Sequence, residues 1–160
     1  MKLMIPLMAA ALSLTPAHPR ADPTSARPPA ILDHLEGTWE GEGEIFGRPA
    51  TFAMTWEREL DGRFMGLSYE IRGDVGMSAR AHYRIADEGP LRGVWVDTRG
   101  EFLDLEATVT EESLDTAWRS DSEEGRTVYR RAGPDSLEVT DHVLDGADWR
   151  PFATARYARR

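Results

Sequence analysis

From residue 38 onward the chain alternates apolar and polar residues with a period of two. That is the repeat of a strand with one face to a core and the other to water. A first strand over Thr38–Phe46 puts Trp39, Gly41, Gly43 and Ile45 on one face, with Glu40, Glu42 and Glu44 on the other. The next, Thr51–Glu59, sets Phe52, Met54 and Trp56 against Thr51, Thr55 and Glu57. Similar runs follow at Arg63–Arg72, Ser78–Ala86, Leu91–Asp97, Glu101–Thr110, Leu114–Ser120, Arg126–Arg131, Ser136–Leu144 and Arg150–Ala158. Turn residues punctuate them, among them Gly47-Arg48-Pro49, Asp61-Gly62, Glu88-Gly89-Pro90, Gly133-Pro134-Asp135 and Asp145-Gly146. No connection has the length of a crossover helix, so neighbours pair antiparallel in meander order. Closing such a sheet on itself hides both of its edges. The pattern therefore predicts an all-β fold, an up-and-down barrel of about ten strands, with a short helical turn at Ile31–Leu35 in front of it.

The inner face decides whether such a barrel can hold anything. Small barrels either fill with side chains or leave room for one ligand. Gly41 and Gly43 on the Trp39 face, and Gly66 and Ser68 on the Phe64 face of the third strand, leave either free space or relief for a bent strand. Trp56, Trp95, Trp118, Trp149, Tyr69 and Phe102 lie on separate strands, and convergence of several on one lumen would make a flat apolar site.

Upstream of the barrel, residues 1–21 read as a secretory signal peptide: Lys2, an apolar run from Leu3 to Leu14, then small residues, with cleavage after Ala17 or Ala21. The run is too short for a membrane span, which needs about 20 residues. Residues 22–30, rich in Pro, Ala, Ser and Thr, read as a flexible tether, and residues 31–160 as the barrel domain. The expected location is periplasmic or secreted, with no membrane insertion after cleavage.

Composition narrows the chemistry. The chain has no cysteine, which excludes thiolate nucleophiles, Cys-based metal sites and disulfides. Lys2 is its only lysine, so a mature form would lack Schiff-base chemistry. The formal charge is −9, and loss of residues 1–21 would remove Lys2 and Arg20 and no carboxylate, leaving −11. Such a field repels phosphate backbones, so nucleic acid is excluded as an expected partner.

Catalytic constellations are missing. Gly66-Leu67-Ser68-Tyr69-Glu70 lacks the second glycine of a nucleophile elbow and lies within a strand. Asp141 and His142 are neighbours on a strand and point to opposite faces, so they cannot share a site. Asp33-His34 reads as a solvated turn. Arg80, His82 and Arg84 form one stripe, facing solvent if Ala79, Ala81 and Tyr83 face the core, or an anion clamp if the interior is polar. Asp104 and Glu106 share a face and would serve acid–base chemistry only if buried. No residue is assigned a catalytic or metal-binding role.

Three features carry a resemblance: the opening Leu35-Glu36-Gly37-Thr38-Trp39-Glu40-Gly41-Glu42-Gly43, the hairpin Asp61-Gly62-Arg63-Phe64, and the terminal Tyr157-Ala158-Arg159. Together they resemble a bacterial family of unknown function, DUF1579. More broadly the chain is similar to the calycin-type barrels: lipocalins, fatty-acid-binding proteins and nitrobindin-like haem barrels. The resemblance implies a latch in which Gly37 and Trp39 meet an arginine of the last strand, Arg156 or Arg159. Nitrobindin-like barrels carry haem on a last-strand histidine, and residues 150–157 contain none; the nearest is His142, one strand earlier. No haem or other cofactor is therefore expected. Adjacent Arg156 and Tyr157 also fail to reproduce the Arg-x-Tyr carboxylate clamp of fatty-acid-binding proteins. The resulting expectation is an exported barrel that binds a small hydrophobic molecule, a binding protein rather than an enzyme, with lumen residues Trp39, Met54, Trp56, Tyr69 and Tyr83. The alternatives are an enzyme acting in the same cavity through His82, Arg84, Asp104 or Glu106, and a solidly packed interaction module.

Overall fold

A computed structural model of the protein describes residues 30–160. The expected signal and tether lie outside the described residues, apart from Ala30. A single-turn helix α1 (Ala30–Leu35) leads into ten strands: β1 (Gly37–Ile45), β2 (Arg48–Glu59), β3 (Phe64–Arg72), β4 (Met77–Arg84), β5 (Leu91–Asp97), β6 (Phe102–Val109), β7 (Ser113–Arg119), β8 (Glu124–Gly133), β9 (Ser136–Asp145) and β10 (Asp148–Arg159). Each strand pairs antiparallel with the next, and β1 pairs with β10 to close the barrel. The all-β up-and-down barrel expected from the alternation is the observed fold.

The seam between β1 and β10 runs in register from Trp39 opposite Arg159 to Ile45 opposite Ala153. Pro151, which has no N–H to donate, coincides with a bulge between β9 and β10 where the register slips past Phe152. The slip aims Phe152 at Trp118 and Phe46, with ring centroids 6.5 and 5.2 Å away. The Phe46 N–H donates to the Phe152 carbonyl and carries the seam to the barrel's end.

Helix α1 covers the opposite end. Its Ile31, Leu32 and Leu35 are buried among Trp39 and the barrel interior. Each such side chain contributes about 1.5–3 kcal/mol by leaving water. The chain turns from helix to strand at Gly37, whose φ of 117° favours glycine and whose missing Cβ leaves room for the Arg159 guanidinium. Arg159 lies 4.2 Å above the Trp39 ring and donates to the carbonyls of His34 and Glu36. The Trp39 indole donates to the Leu35 carbonyl at 2.8 Å. Arg156, the other arginine offered for this latch, points outward and pairs with Glu138.

Two expectations about faces are corrected. On β3 the inward residues are Met65, Leu67, Tyr69 and Ile71, so Gly66 and Ser68 face out. A Cβ on Gly66 would collide with the Glu59 carboxylate, so this glycine seats an outer-face side chain. Gly41 does face inward, but the Tyr157 ring fills its space, and Gly43 lies against the β10 backbone. These glycines permit close packing and leave no void.

Candidate functional site

The two ends of the barrel differ in how tightly they are filled. At the α1 end, Trp39, Met54, Trp56, Met65, Tyr83, Leu114 and Leu137 are almost completely buried. At the other end the inward side chains Tyr69, Met77, Trp95, Leu103, Trp118 and Phe152 pack against the core and keep part of their surface accessible. Alternation, and for Phe152 the bulge, places them on the inner side at the barrel end opposite α1. Gly125 sits where the Trp118 indole crosses β8; any Cβ there would overlap the ring. The glycine thus holds the indole flat on the lumen wall.

Below these aromatics lies a polar floor. Asp141 on β9 faces inward, and Thr127, its cross-strand neighbour on β8, donates to its Oδ1. Thr116, one strand further, lies 3.3 Å from the Tyr83 hydroxyl. The Tyr69 and Tyr157 hydroxyls lie near enough to influence each other's ionisation. All four tyrosines of the chain, buried Tyr83, Tyr129 and Tyr157 and partly buried Tyr69, lie near enough to feel the Asp141 charge. Burial raises the Asp141 pKa to about 6 despite the opposing Thr127 hydrogen bond. Burial also raises Tyr83 to about 12 and pushes Tyr69, Tyr129 and Tyr157 well above the ordinary phenol range. The floor is therefore one anionic carboxyl at neutral pH within a ring of neutral hydroxyls.

A second inward carboxyl, Asp97, lies near the rim. Its side chain is enclosed, which favours the neutral form, but hydrogen bonds from Arg99 and Trp95 outweigh that and lower its pKa. It is held as an ion pair and is already satisfied.

The expected lumen residues Trp39, Met54, Trp56, Tyr69 and Tyr83 all face inward, but four of them pack solidly at the α1 end and only Tyr69 reaches the opposite half. The Arg80–His82–Arg84 stripe lies outside, where His82 Nδ1 meets Glu59 at 2.7 Å. Asp104 and Glu106 are exposed on the outer face of β6, and Glu106 pairs with Arg92. His34 is buried against Trp39, with ring centroids 5.5 Å apart, where a solvated turn was expected. Asp33 beside it pairs with Arg58. His142 faces away from Asp141, as alternation requires. Phe102 and Trp149 are exposed and take no part in the lumen. Among the described residues, no group of three His, Asp or Glu side chains is placed to hold a metal. A groove of about 600 Å³ crosses β1–β5, lined mostly by outward residues, but it mixes Glu40, Glu70, Arg72 and Arg80 and defines no single charge complement.

Sequence reasoning missed Asp141, Thr127 and Thr116 as a set. The available signal was a charge inside the Val139-x-Asp141-x-Val143 alternation, on the apolar face of its strand.

Comparison with known proteins places the architecture. No family model matches the sequence, and no curated protein does. Solved structures match in 17 chains. The crystal structure of Rv2717c from M. tuberculosis is 17% identical, with a TM-score of 0.58 over 81% of this chain and 95% of that one. The S-type phycobiliprotein lyase CPES from Guillardia theta is 12% identical, with a TM-score of 0.53 over 81% and 90%. These likenesses concern the fold. They put the chain among closed β-barrels of this shape.

Proposed function

We propose that this protein is an exported barrel that binds a small hydrophobic molecule through the open end of its lumen, and that it is DUF1579-like. The observation that carries the reading is the asymmetry of the interior. One end is sealed by α1 and its latch, while at the other Trp95, Leu103, Trp118 and Phe152 face inward with surface still accessible. Pockets for small ligands combine apolar and aromatic walls with a few polar groups, and this lumen has both. The lyase neighbour is compatible with the reading at the level of fold. A catalytic alternative would rest on Asp141, because His82, Arg84, Asp104 and Glu106 all lie outside the barrel.

Two adjacent residues of β6 provide the test. Leu103 faces the lumen and Phe102 faces solvent. With the neutral fluorescent probe N-phenyl-1-naphthylamine, Leu103→Gln should weaken binding about tenfold, the loss of about 1.4 kcal/mol, whereas Phe102→Gln should leave it unchanged. The reverse pattern would place the site on the outer surface and overturn the lumen assignment. Intact-mass measurement of protein from the host's extracytoplasmic fraction would test export, with the mature chain expected to begin after Ala17 or Ala21.

A further inference from the structure

Asp141 is a buried carboxyl whose charge nothing in the barrel offsets. Its Oδ1 accepts from Thr127, and no cation pairs with the carboxylate among the described residues. Thr127 on β8 touches it, and Tyr69 on β3, Tyr83 on β4, Tyr129 on β8 and Tyr157 on β10 lie near enough to feel its charge, all uncharged at neutral pH. An unpaired buried charge is costly, and natural interiors pair such groups or leave them neutral. Here the group faces the barrel interior, and the residue keeps some accessible surface.

We propose that the lumen ligand is a lipophilic amine, a flat apolar molecule whose protonated nitrogen docks on the Asp141 carboxylate. This rests on the lumen-binding reading above and names its ligand class. A protonated amine supplies the missing counter-charge. Trp95, Trp118 and Phe152 offer flat walls for the apolar body. The formal charge of −9 attracts cations toward the mouth. A fatty acid or another lipophilic anion would bring a second negative charge to Asp141 with no cation between them, so the same floor rejects it.

The test compares three probes of matched shape by calorimetry at pH 7.5: 2-naphthylmethylamine, 2-naphthylmethanol and 2-naphthoate. The amine should bind at least about tenfold more tightly than the alcohol, and the naphthoate most weakly. Asp141→Asn, which keeps the shape, should bring the amine down to the alcohol's affinity and leave the alcohol unchanged. Wild-type protein provides a measurement free of any folding defect. The amine's affinity should fall about tenfold between pH 7.5 and pH 5, as Asp141 protonates while the amine stays charged, and the alcohol's should hold. A naphthoate that binds as well as the amine, or an amine preference that survives both Asp141→Asn and pH 5, would overturn the proposal. Failure of all three probes and of the neutral dye would sink the lumen reading itself. Dye binding without an amine preference would sink only the choice of amine.

Discussion

A single carboxyl shows how far one residue can be read from sequence. Asp141 alternates with Val139 and Val143, so its inward direction was available from residues 136–144 alone. Its surroundings were not. They come from β3, β4, β8 and β10, which only the register of a closed barrel brings together. The stability consequence follows from the raised pKa. Between about pH 4 and about pH 6 the folded protein holds a proton that the unfolded chain has released. Stability from this group therefore falls as pH rises through that window, and stays lower above it. Asp141→Asn removes the titration. Relative to wild type, the variant should gain on the order of 2–3 kcal/mol between pH 4 and pH 8, as read by urea unfolding at the two values. A difference that does not change with pH would mean the carboxyl is solvated in the folded state.

The elements were legible where one face of a strand was clearly apolar, and obscure where both faces carried small or apolar residues. β1 has glutamates at every outward position between Trp39 and Ile45, so its inner face was plain. β3 reads Phe64-Met65-Gly66-Leu67-Ser68-Tyr69-Glu70-Ile71, with apolar residues on both sides, so the sequence offers Gly66 and Ser68 on one face and Tyr69 on the other as inward, and only Tyr69 is. The choice between Arg156 and Arg159 for the latch also needed register, because both lie near the end of β10. It yields a paired prediction. Arg159→Gln removes the cation over Trp39 and the donors to two carbonyls, and should cost about 1–3 kcal/mol in denaturant unfolding. Arg156→Gln loses only an exposed ion pair and should stay within about 0.5 kcal/mol of wild type. For the helix that the latch secures, Leu35→Ala should cost about 2–5 kcal/mol, because its side chain is fully enclosed.

At the scale of the whole molecule, strand number, order and pairing sense followed from the spacing of turns, while the contrast between the two barrel ends did not. Inward positions at both ends are apolar in the sequence; what separates them is α1 packed over one end alone. That contrast predicts a gradient in amide exchange. Backbone N–H groups around Trp56, Leu114 and Leu137 should resist exchange more strongly than those around Trp95, Leu103 and Val143, and a uniform profile would show that the ends are equally firm. The seam leads to one further result. The Arg160 N–H donates to the Thr38 carbonyl at 2.9 Å, so the last residue lies against the first strand. Every other pairing joins strands consecutive in the chain. A peptide joining residue 160 to residue 30, ahead of α1, would therefore keep the helix and its latch and make the chain circular. New termini cut at the exposed Gly146 turn should yield a circular permutant that rebuilds the same sheet, with β10 becoming its first strand.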